Sequence, residues 1–218
     1  MGQALDSSSA VWMAEAAHRA ANLEQIATNL PRLIDRGRVG SNDPSRTIRQ
    51  ANRLAKTYRS LDSSDGRGSF SCAPELKNIA YGLTAIFGHS VGSVNLWLDI
   101  QPLMLEHEER RALLLAASEL VMNALRHAFV GRHSGTIRIS LHWDAVSEEG
   151  VLEVADDGKG PDDVATGTGL GHGIIRGLAD VLGGSIAWRR SMLLSGTEAT
   201  LRFPLPTPVI QLARGHFE

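Results

Sequence analysis

The stretch SSDGRGSFS, Ser63 to Ser71, constrains this chain more than any other, because the hydrophobic period changes across it. It is almost entirely small, polar or glycine, the composition of a linker, which we place at residues 65–73. Before it, apolar residues recur every three or four positions. After it, short segments alternate apolar and polar residues, the period of half-buried strands. The sequence therefore divides into a helical unit, residues 1–64, a mixed unit, residues 74–208, and a tail, residues 209–218.

In the first unit, Val11 to about Arg36 is rich in Ala, Leu, Glu and Gln, and Leu23, Ile26, Leu30 and Leu33 form a helical seam. Pro31 removes one backbone donor, so a kink or an early end is expected near Leu30. The run RGRVGSNDPS then punctuates the chain, with Asn42, Asp43 or Ser45 as caps and Pro44 suited to a first turn. A second helix is expected from about Arg46 to Leu61. Its apolar stripe is Ile48, Ala51, Leu54 or Ala55, Tyr58 and Leu61, and Arg46, Arg49, Arg53, Lys56 and Arg59 lie mostly elsewhere, as a solvated face does. Two such helices make a hairpin, and two hairpins make a four-helix bundle in a homodimer.

In the second unit, Pro74 to Gly88 reads as a helix, VNLWLDI as a strand, and Glu106 to Phe129 as one long helix. Thr136 to Trp143 and Val151 to Gly158 alternate as strands do. Gly171 to Leu182 is expected to be helical, with SIAWRR and ATLRFP as closing strands. Helices grouped beside a sheet of antiparallel type indicate an α+β sandwich. Trp12, Trp97, Trp143 and Trp188 are expected in the core or at a domain interface.

Composition narrows the function classes. The 218 residues carry a formal charge of -2, so no global basic field favours nucleic acid. One cysteine, Cys72, closes no disulfide within the chain and builds no thiolate cage, which fits a reducing, cytoplasmic setting. No run approaches the ~20 apolar residues needed to span a bilayer, and MGQALDSSSA is not a signal peptide. Membrane insertion is therefore not expected.

Three features of the second unit carry chemistry. Glu119 and Asn123, four apart on one helix, share a face where a carboxylate and an amide oxygen suit Mg²⁺. Taken alone, such a pair is more often a solvated polar face. Asp156-Asp157-Gly158-Lys159-Gly160 follows a strand, where an Asp accepts from an exocyclic amino group while glycines let a flat base approach. Gly167-Thr-Gly169-Leu170-Gly171-His-Gly runs into a helix, whose free amides and positive end suit a phosphate chain. Its glycine spacing is not the dinucleotide fingerprint. Gly196-Thr197 and a last strand complete the order.

These motifs, over roughly Pro74 to Pro204, resemble the ATP-binding domain shared by histidine kinases, gyrase, heat-shock chaperones and mismatch-repair ATPases. ELVMNALRHAF resembles the N box, DDGKG the first glycine box and GTGLGHGI the second. The resemblance implies that Asn123 ligates Mg²⁺, with Arg126 and His127 near the phosphates and Glu119 among the catalytic candidates. It implies that Asp156 binds the adenine amino group, and that Gly158, Gly160, Gly167, Gly169, Leu170, Gly171 and Thr197 shape the ATP pocket and its lid.

In the first unit, Glu15-x-x-His18-Arg-x-x-Asn22-x-x-Gln25 resembles the phosphorylation motif of the second histidine-kinase dimerisation family. Ala20, Ala21 and Leu23 stand where that family usually has Val-Lys and a second Asn. The resemblance implies a two-component transmitter in which His18 takes phosphate from Mg-ATP and gives it to a receiver domain of a response regulator. His18 is then the nucleophile, Glu15 holds its tautomer and Asn22 orients a water or the receiver aspartate. Any signal is expected to arrive through a separate sensory partner or through the domain itself. The alternative is a histidine phosphotransferase relaying phosphate between receivers, although such relays usually lose their nucleotide motifs. A serine kinase of anti-sigma-factor antagonists would lack the hairpin motif, and a non-enzymatic dimerisation module would bind no adenine nucleotide.

Overall fold

The structure, a computed structural model, describes residues 44–62, 68–88, 91, 93–160 and 170–205. The expected first helix, with Glu15, His18 and Asn22, lies outside the described residues, as do Gly167 and Gly169, the rest of the lid, and the tail.

Helix α1, Pro44–Asp62, starts on a proline, whose missing N–H is no loss in a first turn. Its stripe of Ala51, Leu54, Tyr58 and Leu61 is buried, while Arg49, Arg53, Lys56 and Arg59 are exposed. The stripe is covered by this chain itself. Helix α2, Ala73–Phe87, presents Gly82 to Leu54, and a Cβ on Gly82 would come within 2.8 Å of the Leu54 Cβ. The Tyr58 hydroxyl shares a buried hydrogen bond with Ser118 Oγ.

Strand β1, Phe70–Ser71, lies inside the stretch read as linker and pairs antiparallel with β3, Met104–Leu105. Between β1 and α2, Cys72 is buried against the Leu103 carbonyl, its Sγ at 3.3 Å. Burial pushes its thiol up to about 12, so it is not a nucleophile near neutral pH.

Five strands form the main sheet: β2, Ser93–Ile100; β4, Ser134–Asp144; β5, Glu149–Asp156; β6, Ser185–Arg190; and β7, Thr197–Pro204. Their order is β2-β4-β5-β7-β6. The sheet is mixed, which corrects the expected antiparallel type. β2 and β4 run parallel, from Ser93 opposite Ser134 to Ile100 opposite Leu141, and the other pairs are antiparallel. The reason is the connection: helix α3, His107–Asn123, follows β3 and returns the chain to the same end of the sheet, as a parallel crossover must.

Helix α4, Leu170–Val181, joins α2 and α3 over one face of the sheet. Ile137, Ile139, Leu141, Leu152, Val154 and Leu201 belong to the core cluster with Leu113, Leu114, Ile175 and Leu178 of the helices. Trp143 and Trp188 pack at the margin of this core, as expected. Trp97 does not: it is 60% exposed, because alternate residues of edge strand β2 face outward. Trp12 lies outside the described residues.

Candidate nucleotide site

The site is built where the ends of α3, β5 and α4 converge. Helix α3 begins with the Glu109 carboxylate accepting the Glu106 backbone N–H at 3.2 Å, a device that ties down a free amide of the first turn. From Ala112 to Met122 every residue is buried. Glu119 is only 4% exposed and Asn123 is half-buried, so this pair is not a solvated face.

The expected single helix to Phe129 is not what forms. After Asn123 the chain makes a π-helical turn, Ala124–Ala128, which widens the helix and changes the facing of the residues that follow. Arg126 stands 6.0 Å from the centre of the Phe87 ring, and His127 is exposed. The turn also presents the Ala128 carbonyl, which accepts the Lys159 N–H at 3.2 Å. A Cβ on Gly158 would strike that same carbonyl oxygen. The close approach of loop and helix therefore requires glycine at 158.

Asp156 and Asp157 have separate tasks. Asp157 accepts the Thr136 N–H through Oδ1 at 2.8 Å, and Arg132 pairs with it at 3.6 Å and donates to its carbonyl oxygen. It fastens the loop to β4. Asp156, at the end of β5, is buried and accepts two backbone N–H groups on Oδ1, from Gly158 at 2.9 Å and Thr197 at 3.1 Å. A Cβ on Gly196 would strike both the Asp156 carbonyl and Oδ1. Among the described residues, nothing hydrogen-bonds Asp156 Oδ2. Burial raises its pKa, against the pull of those two N–H bonds, and the Asp157 charge adds to the rise.

Leu170 opens α4 and Gly171 follows it. A Cβ on Gly171 would lie 3.6 Å from Asn123 Oδ1 and 3.8 Å from Nδ2, so the amide of α3 faces the first turn of α4. Next in sequence, the His172 ring lies 4.7 Å from the Trp188 ring at 44°, and Arg176 stands 5.7 Å from the same ring. Burial lowers the His172 pKa, and the charges of Arg176 and His127 lower it further.

The structure thus sets Asn123 facing Gly171 and ties Asp156 to Gly158 and Thr197. Glu119 is buried on α3, Arg126 and His127 lie in the π turn that follows, Gly160 ends the loop and Leu170 opens α4. Thr197 acts through its backbone N–H on Asp156, a role that its side chain does not announce. Sequence reasoning missed Arg132 and Arg190, which no motif marks, and gave no role to His172, which lies within the second glycine box. Only the register of β6 against β7 brings Arg190 to Thr197.

Residues 108–207 match the family of histidine kinase-, DNA gyrase B- and HSP90-like ATPases. No curated protein sequence matches the chain. In fold, the chain is similar to the histidine kinase domain of the Erythrobacter litoralis EL346 blue-light activated histidine kinase. The TM-score is 0.58 at 22% identity, covering 94% of this chain and 95% of that one. A second structure, the Erythrobacter litoralis EL346 blue-light activated histidine kinase itself, gives 0.57 at 23% identity over 88% of this chain and 60% of that longer one. No described helix is long and apolar enough to cross a membrane.

Proposed function

We propose that this protein is a histidine kinase transmitter that binds Mg-ATP between α3, β5 and α4, phosphorylates His18 and passes the phosphoryl group to a response-regulator aspartate. The observation that carries the reading is Asp156: a buried carboxylate with one oxygen fixed by two backbone amides and the other unbonded among the described residues. Such a group suits the adenine amino donor, and Gly158 and Gly196 let the loop and the β6-β7 turn close onto Ala128 and Asp156 around it. The match of residues 108–207 to an ATPase family supports the same ligand.

Asn123 would hold Mg²⁺ through Oδ1, in company with the nucleotide phosphates. The half-buried Asn123 amide, facing the first turn of α4, fits that sparse coordination, because Mg²⁺ commonly keeps waters and phosphates instead of a protein cage. When bound, the ion neutralises charge developing on the transferred phosphoryl group. The α4 amino end would offer amides to the phosphates, and Arg126 and His127, in the π turn after Asn123, would supply further donors. The neutral His18 nitrogen attacks the γ-phosphorus as the bond to the bridging oxygen breaks, so ADP leaves with that electron pair. Glu15 orients the imidazole and Asn22 serves the onward transfer. A homodimer would need a surface other than the Ala51, Leu54, Tyr58 and Leu61 stripe, which is buried within the chain.

The test is incubation with γ-labelled ATP and Mg²⁺, scoring acid-labile, base-stable label on the protein. Label on the wild type that is lost in His18→Ala and Asn123→Ala is the expected result. An unlabelled wild type whose His18 still accepts phosphate from a phosphorylated receiver would replace the kinase by a relay.

A further inference from the structure

Arg190, the last residue of β6, belongs to none of the motifs, yet its guanidinium occupies the space beside Gly160. A Cβ on Gly160 would lie 2.6 Å from Nη1, 2.9 Å from Cζ and 3.0 Å from Nη2. Gly160 has φ +79°, closes the loop that starts at Asp156, and is the last described residue before the lid segment. On its other side, Arg190 Nη1 donates to the Ser195 carbonyl at 3.1 Å. Ser195 itself sits at φ 67°, in a tight β6-β7 connection held by Ser191 N–H to Gly196 O at 2.8 Å. That connection delivers Gly196 and Thr197 to Asp156.

The contacts close a ring: Asp156 to the Gly158–Gly160 loop, loop to Arg190, Arg190 to the Ser195 turn, and Thr197 back to Asp156. Two side chains carry the ring, the Asp156 carboxylate, which accepts from the Gly158 and Thr197 N–H groups, and Arg190, which reaches Gly160 and the Ser195 carbonyl. Among the described residues, Arg190 joins Gly160 to the Ser195 turn, and the next residue of that turn, Gly196, packs against Asp156 Oδ1. Arg190 is also exposed, so packing of the core does not account for its position.

From this ring we infer that Arg190 is a positioning residue for the adenine end of the nucleotide pocket, setting the separation between Gly160 and Thr197 across Asp156. The inference rests on the nucleotide-site reading above. A planar guanidinium suits the position because it lies flat on a residue without a side chain while keeping one N–H on a carbonyl, which an ammonium on a flexible stem does not reproduce.

The test is calorimetric titration of the full chain with ADP, together with autokinase kinetics. Arg190→Ala is expected to bind ADP about tenfold more weakly, the loss of one charge-assisted positioning contact. It should raise KM for ATP with kcat unchanged, and leave the unfolding temperature of the ligand-free protein near that of the wild type. Arg190→Lys should not rescue it. The penalty of Gly160→Ala should be smaller in the Arg190→Ala background than in the wild type, since the group it displaces is already gone. Wild type that binds ADP through Asp156 while Arg190→Ala binds equally tightly overturns this inference alone, as does an equal Gly160→Ala penalty in both backgrounds. A wild type that binds no ADP overturns the nucleotide-site reading and this inference with it.

Discussion

The Asn123 amide and Gly171 face each other across the junction of α3 and α4, with Oδ1 3.6 Å from where a Gly171 Cβ would stand. That spacing is ordinary van der Waals contact, so one methyl group fits and a branched side chain does not. Gly171→Ala should therefore keep nucleotide binding and, being in a helix, gain up to about 1 kcal/mol in stability. Gly171→Val should push the amide aside and weaken Mg-nucleotide binding by about tenfold or more. Titration of both variants with Mg-ADP, beside their urea unfolding curves, separates the two effects.

Gly158 and Gly196 meet backbone atoms, which cannot swing away as a side-chain end can. Gly158→Ala drives a methyl into the Ala128 carbonyl, and Gly196→Ala drives one into the Asp156 carbonyl and Oδ1. Each should cost about 1–3 kcal/mol of stability, the usual range for overpacking. Gly196→Ala should also damage base recognition through Asp156. A lowered urea midpoint with unchanged m-value is the expected signature.

Asp156 makes nucleotide affinity pH-dependent. Its pKa is raised above the ordinary 3.8, chiefly by burial, so the carboxylate needed by an amino donor is protonated at a higher pH than an ordinary aspartate. Adenine affinity should fall as pH drops toward that raised value, measured between about pH 4 and pH 7. The stability linkage has the opposite sense: the protonated acid is favoured in the folded state, so this stabilisation is present below the ordinary value and is lost as pH rises through the raised one. Asp156→Asn should bind adenine poorly at every pH and flatten the profile, since an amide donor would face the base amino group. An unchanged profile in that variant would assign the titration elsewhere.

Helix α1 shares a core with α2 and α3 through Leu54 on Gly82 and Tyr58 on Ser118. Leu54→Ala should cost about 2–5 kcal/mol, as truncation of a fully buried leucine does. Tyr58→Phe should cost about 1–3 kcal/mol by leaving Ser118 Oγ without its partner. Hydrogen exchange distinguishes a shared core from a loosely tethered helix. Protection of α1 amides should fall together with those of α2 in both variants, and loss confined to α1 would contradict the shared packing.

Much of this architecture is legible in the chain because local rules act alone there. Strand β4 follows from the alternation of Thr136 to Trp143, and α1 from the three-four spacing of Ala51, Leu54, Tyr58 and Leu61. The partner of that stripe is not legible, because nothing local distinguishes an apolar seam bound for a second helix of a bundle from one bound for Gly82. The parallel pairing of β2 with β4 is a property of the crossover, and the π turn after Asn123 inserts a distortion into a segment whose composition reads as plain helix. Asp156, Asn123 and the glycines could be marked from their order, yet the division of labour between Asp156 and Asp157 depends on Thr136 and Thr197, 20 and 41 residues away from Asp156. Arg190 was invisible for the same reason.

The central claim is an adenine nucleotide site at Asp156 and Asn123, and equilibrium dialysis with labelled ADP and GDP in the presence and absence of Mg²⁺ tests it most directly. The wild type should retain ADP and not GDP, Asp156→Asn should lose that preference, and Asn123→Ala should lose the dependence on Mg²⁺. Wild-type protein that retains neither nucleotide, or an Asp156→Asn variant that retains ADP as the wild type does, would contradict the account.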